Sequence, residues 1–179
     1  MANHGDKEHE RHPQHKLSWD ASLNGGYTCA DCKFVGLGPR YRCTKGCNFQ
    51  VHECCVPPRP DSVAVSLFGD CRFKFLDFPP GAGVDHRFCD ACGTDVEGCV
   101  YHCFHCDRDL HPSCACMKDD EVIGGVKYRL RDEGKKWECV ECKMRLGLEG
   151  KRTWWYVSEE DGESRLHVHC ARKLLLRDA

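Results

Sequence analysis

Cys89-Asp90-Ala91-Cys92, then ten residues, Cys103-Phe104-His105-Cys106, then four residues, His111-Pro112-Ser113-Cys114: this stretch decides the reading of the chain. The same spacing occurs upstream, as Cys29-x2-Cys32, ten residues, Cys43-x3-Cys47, four residues, His52-x2-Cys55. The two copies differ by one inserted residue. Their flanks agree as well, Tyr41-Arg42-Cys43 against Tyr101-His102-Cys103 and Val51-His52 against Leu110-His111. A third copy opens with Cys139-x2-Cys142 and closes with Leu166-His167-x2-Cys170, but where the middle pair should lie the chain reads Trp154-Trp155-Tyr156-Val157-Ser158. A period repeated this closely marks a tandem array of one small unit.

Composition says what holds such units together. Seventeen cysteines and eleven histidines stand among 179 residues, and 30% of the chain is charged. Units this short and this poor in apolar residues need disulfides or metal. The start, Met1-Ala2-Asn3-His4-Gly5-Asp6, carries no apolar run of signal-peptide length, so reduced thiols are expected. The cysteines fall in close pairs, they are followed by His-x-x-Cys, and their number is odd; metal explains all three and a disulfide framework none. Zinc takes four tetrahedral ligands from cysteine sulfur and histidine nitrogen, which a Cys-x-x-Cys turn and a His-x-x-Cys turn supply in halves. Zinc binding to peptides of this kind is worth ~10–16 kcal/mol, so folding is expected to depend on metal.

The damaged third copy indicates the pairing. It retains the first pair and His-x-x-Cys, so those halves share an ion. The outer sites are then Cys29, Cys32, His52 and Cys55; Cys89, Cys92, His111 and Cys114; and Cys139, Cys142, His167 and Cys170. The middle pairs need ligands from outside the repeat. For Cys43 and Cys47 the candidates are His15 and His12, in His12-Pro13-Gln14-His15; for Cys103 and Cys106 they are Cys71 and, as first choice for the fourth ligand, Cys116. Four or five zinc ions follow.

The expected architecture is a tandem of small zinc-bound α+β modules with short β-hairpins, one short helix per module and little hydrophobic core. Residues 1–11 are expected to form a disordered tail, followed by modules over 12–70, 71–120 and 121–179. Val56-Pro57-Pro58-Arg59-Pro60 cannot continue helix or central strand. Val126, Tyr128 and Leu130 alternate as a strand after the Gly124-Gly125 turn, and His169 to Arg177 suits a short helix.

These residues resemble the plant cysteine/histidine-rich divergent C-one domain family, which is related to the diacylglycerol-binding zinc domain of protein kinase C. The resemblance spans residues 12–170 and rests on His-Pro-Gln-His-Lys-Leu, on Tyr-Arg-Cys with Cys-x-Phe-x-Val-His-x-x-Cys, and on Val-Tyr-His-Cys with Asp-Leu-His-Pro-x-Cys. It implies interleaved double zinc sites and roles in protein interaction, with stress, hormone or redox signalling for some members. The lipid groove of the parent domains depends on Gln-Gly before the second cysteine pair. This chain reads Gly38-Pro39-Arg40-Tyr41 there, and the lipid activity is not carried over.

The expected function is therefore a zinc-binding, non-enzymatic adaptor inside the cell, in cytoplasm or nucleus, whose partners are proteins. A PHD-type histone reader is the main alternative. Cys89 to Cys142 fits its cross-brace spacing and Trp137 sits two residues before Cys139, but that brace strands His167 and Cys170. A zinc enzyme is disfavoured because closed four-ligand sites leave no position for water. The formal charge of −2 offers little pull toward nucleic acid or anionic lipid. Residues 127–155 are basic and end in Trp154-Trp155, which reads more simply as core filling the lost site than as a single-strand binding face. Cys54 and Cys99 read as spare thiols, His86, His102, His105 and His169 as surface or supporting groups, and His4 and His9 as tail residues that are not ligands.

Overall fold

The computed structural model describes residues 4–22, 25–81, 86–133, 137–145 and 153–175. The chain folds as small, mostly stranded units in tandem. In the first, β1 (Leu17–Asp20) pairs with β4 (Arg40–Cys43), which pairs with β5 (Gln50–Val51), while β2 (Gly26–Thr28) and β3 (Val35–Leu37) form a hairpin around the first cysteine pair. A 3-10 turn, Glu53–Cys55, carries the end of His52-x2-Cys55. In the second unit β6 (Ser62–Ala64), β7 (Arg72–Leu76), β8 (Val100–Cys103) and β9 (Arg108–Leu110) form one antiparallel sheet, followed by the helix α1 (Pro112–Ala115). The third repeats this as β10 (Asp120–Ile123), β11 (Val126–Glu133), β12 (Thr153–Ser158) and β13 (Arg165–His167), closed by α2 (Val168–Leu175).

Local chemistry accounts for these elements. Gly124 and Gly125 both adopt positive φ, 58° and 81°, and form the two-residue loop that puts Ile123 opposite Val126. Such primed turns match the twist of an antiparallel pair and favour glycine at both places. Tyr128 and Leu130 point inward and are buried, while Arg129 and Arg131, which alternate with them, point outward. Proline at the first position of α1 loses no helical hydrogen bond there.

Two boundaries differ from expectation. β6 precedes residue 71 but pairs with β7, so the second sheet begins at Ser62, just past the Pro57-Pro58-Arg59-Pro60 break. Residues 4–11, expected as a loose tail, lie against the first unit. Lys7 bridges Leu17, and His9 is buried with Nε2 3.3 Å from a carboxylate oxygen of the fully buried Asp31. Arg11 approaches the same carboxylate at 3.3 Å and reaches Asp77 at 3.0 Å. A carboxylate this deep requires cationic or donor neighbours, which explains why the tail is held. Of the expected terminal helix, Leu176 and Arg177 fall outside the described residues.

Apolar side chains gather into two clusters, each containing cysteines of the repeat. One centres on Leu17, Tyr27, Tyr41 and Val51. The other runs through the second and third units and includes Phe68, Phe73, Tyr101, Trp154, Trp155 and Tyr156. The core is thus shared between units rather than divided among them. Cys99, from the second unit, packs in the first unit's cluster and donates its amide to Asp31 O at 3.2 Å. Gly98 makes this approach feasible, since a Cβ there would stand 2.1 Å from Asp31 O.

Candidate metal centres

The same knuckle is built three times. Cys29 N donates to Phe34 O, Cys89 N to Thr94 O and Cys139 N to Met144 O, at 2.8–3.0 Å. The fifth residue of each turn donates back: Lys33 to Cys29 O, Gly93 to Cys89 O and Lys143 to Cys139 O. Those residues take left-handed φ of 62°, 73° and 59°. This sharp reversal turns both sulfurs of a pair onto one point. A further bond, Ala30 N to Gln50 O, Asp90 N to Asp109 O and Val140 N to Arg165 O, ties each knuckle to the strand that delivers the histidine.

The outer quartets form. Cys29, Cys32, His52 and Cys55 come together, as do Cys89, Cys92, His111 and Cys114, and Cys139, Cys142, His167 and Cys170, with donor atoms of each set within 4.8 Å of one another. His12, His15, Cys43 and Cys47 form a fourth, inner quartet. Imidazole Nδ1 faces sulfur at four of the five histidines: Cys32 to His52 at 3.4 Å, Cys92 to His111 at 3.5 Å, Cys142 to His167 at 3.3 Å, and Cys43 and Cys47 to His15 at 3.6 and 3.3 Å, while Nδ1 of His12 lies 2.9 Å from the Gln14 amide nitrogen. With Zn–S near 2.3 Å and Zn–N near 2.0–2.1 Å, the edges of a tetrahedron come to about 3.6–3.8 Å. The donor sets and their spacings fit a tetrahedral ion of this size. Behind the ligands, His111 Nε2 lies 2.9 Å from Asp95 O, which fixes the ring with Nδ1 toward the thiols.

The charges make the same point. In the third quartet the Cys170 thiol holds Cys139 down to about 2, while Cys170 is itself pushed far up by the Cys139 thiolate. Burial pulls His111 down, yet the thiolates of Cys89 and Cys92 outweigh it and raise the ring to about 10. Several thiolates cannot share one buried place without a compensating cation, and metal binding would drive these protons off.

Two expectations change. Cys116 does not join Cys71, Cys103 and Cys106; it lines a surface pocket together with Cys54. The short helix α1 turns Cys116 toward the 3-10 turn of the first unit and away from its own sheet. The tryptophans also do not occupy the lost inner site. Tyr156 opposite Leu166 matches Tyr41 opposite Val51 and Tyr101 opposite Leu110. That register puts Ser158, whose hydroxyl accepts from the amides of Glu160 and Asp161, in the place of Cys43 and Cys103. Trp155 lies a step earlier on the strand, 4.3 Å from the His167 ring, and packs beside the outer centre.

The cross-brace pairing is not formed. Cys139 and Cys142 meet His167 and Cys170 rather than Cys103 and Cys106. Trp137 is covered by the Arg165 guanidinium at 3.8 Å. His102 is buried against Asp109 at 3.0 Å and His86 and His105 are exposed, all outside the quartets. The Asp31 cluster and the Cys54–Cys116 contact had no local signal, because their partners lie far apart in the chain.

Against known proteins, residues 10–56 match the family model of the C1 domain. The first module is therefore similar to a C1 domain. No curated protein and no solved structure matches the chain. The matched segment contains both quartets of that module. The knuckle and the outer quartet of that segment recur in the two modules that follow, which lie outside the match.

Proposed function

We propose that the protein is a zinc-built, non-enzymatic adaptor acting through protein contacts inside the cell, in cytoplasm or nucleus. The observation that carries this reading is the closure of four quartets by the chain's own cysteines and histidines. A zinc ion held by four protein ligands has no free position for a water nucleophile, so its role is structural. It would join segments about twenty residues apart in modules with little apolar surface of their own. Zinc suits the mixed thiolate and imidazole donors better than a hard cation does.

Among the described residues no helix is long and apolar enough to cross a membrane. The stretch Gly38-Pro39-Arg40 lacks the Gln-Gly of diacylglycerol-binding relatives, which weighs against a lipid ligand. The pairing at Cys139 and Cys142 weighs against a PHD-type reader.

Native mass spectrometry of the purified chain is the primary test, with elemental analysis for the metal. Four to five zinc ions are expected, and a folded metal-free chain would refute the proposal. Flotation with diacylglycerol-containing vesicles and pull-down on histone-tail peptides should both be negative. Binding in either would replace the adaptor reading by the corresponding rival.

A further inference from the structure

The repeat, followed strand by strand, contains a gap in the second module. β1 and β4 pair with Leu17 opposite Cys43. β7 and β8 pair with Lys74 opposite His102, and the next step places Phe73 opposite Cys103. His15 and Cys71 therefore occupy one position, two residues before that pair. The preceding turn is also the same. In the first module His12 N donates to His9 O at 2.9 Å and His15 N to His12 O at 3.4 Å. In the second Phe68 N donates to Val65 O at 2.9 Å and Cys71 N to Phe68 O at 3.1 Å.

Phe68 thus stands where His12 stands, and a phenyl ring has no lone pair to give a metal. It turns inward instead, 5.1 Å from Phe73 and 4.7 Å from Trp154, with the Arg108 guanidinium 4.6 Å above it. Cys71, Cys103 and Cys106 still converge within 4.8 Å, and no fourth donor joins them among the described residues. The nearby candidates are otherwise placed: His102 is held by Asp109, Cys116 lies outside the cluster beside Cys54, and His105 is exposed outside it. Cys103 is buried, while Cys71 and Cys106 are half-buried and reachable from solvent.

We propose that these three cysteines form an open metal site, in which three thiolates hold a zinc-like ion and the fourth position takes a small thiolate or imidazole from solution. The proposal rests on the zinc reading above. Zinc with three protein ligands keeps an exchangeable position, unlike the closed quartets. Three thiolates make the site soft, which selects sulfur and nitrogen donors over carboxylates. The Cys71 and Cys106 sulfurs now sit 2.8 Å apart, in a thiol–thiol contact that a bound ion would replace. An incoming thiol would lose its proton to solvent and displace water from the metal. No electron transfer is involved.

Cobalt(II) substitution of the full chain tests this, because its d–d and thiolate-to-metal absorption reports ligand number and type. Wild type should take up one more ion than Cys71→Ser. Titration with imidazole, and separately with β-mercaptoethanol, should shift the wild-type d–d bands saturably, and the shift should be lost in both Cys71→Ser and Cys106→Ser. Equal metal counts in wild type and Cys71→Ser would overturn the proposal. So would an extra ion whose spectrum ignores both probes, or a Cys71–Cys106 disulfide found by mass in protein purified under reducing conditions. Failure of every site to bind cobalt or zinc would defeat the zinc reading itself.

Discussion

The outer ligand positions are the same in all three modules, whereas the inner ones differ from module to module. The outer position holds two cysteines, a histidine and a cysteine in every copy. The inner position holds four donors in the first module and three in the second. In the third, the register gives Ile123, Val126 and Ser158 at the places of His12, His15 and Cys43. An ion at the outer position would join a knuckle to the His-x-x-Cys segment and so fasten a module's two ends. An ion at the inner position would fasten only the first strand to a turn of the second, and a hairpin can do that without metal. In the third module the Gly124-Gly125 turn and the long pairing of β11 with β12 supply the connection.

The largest test of this comparison is complete metal removal. A strong chelator should abolish the tertiary tryptophan signal of the chain, because each outer ion supplies ~10–16 kcal/mol. Retention of that signal in the third module alone would show that Trp154 and Trp155 can hold it without the outer centre.

Cys139→Ser addresses one outer centre. It should cost one ion by native mass spectrometry and unfold the third module, while the second keeps its amide dispersion in NMR spectra. Collapse of the second module instead, with the third intact, would restore the cross-brace pairing. His15→Ala, at the inner quartet of the first module, should also cost one ion but leave the module folded, with a lower melting temperature. Its loss should be the smaller of the two. Cys47 is exposed and His15 half-buried, whereas the outer quartet is buried. Mild acid should therefore release the inner ion first, since each thiolate and imidazole must be deprotonated to bind. Simultaneous release would place both ions in one cooperative unit.

The smallest expected effect lies between modules. Gly98→Ala would drive a methyl group against Asp31 O and the Cys32 backbone. Overpacking of this kind costs about 1–3 kcal/mol. All metal should be retained, with faster hydrogen exchange at the Cys99 amide as the readout. Unchanged exchange there would mean that the modules meet too loosely for this contact to matter.

Much of the site was legible because its parts are close in sequence. A Cys-x-x-Cys turn followed by His-x-x-Cys identifies an outer quartet without knowledge of the fold, and comparing a damaged copy with intact ones settles which halves belong together. The strand Val126 to Leu130 and its diglycine turn were equally local. Cys116 was misplaced because sequence order brings it near Cys106, whereas α1 directs it toward Cys54. The tryptophans were misplaced because the third copy lacks the cysteines that would align its strand. Only the pairing of Tyr156 with Leu166 shows the step. His9 was dismissed with its polar neighbours, since nothing within the first eleven residues announces the buried Asp31.

By itself the sequence determined the repeat, the donor types and the outer quartets, because metal-ligand geometry is satisfied over short spans and leaves its spacing in the chain. The tertiary structure alone decided how the modules share a core, that Phe68 occupies the turn position of His12, and that Cys116 faces Cys54. Those relations depend on strand register and on contacts between distant segments. Burial against a neighbour, rather than spacing along the chain, selects the residue at each of them.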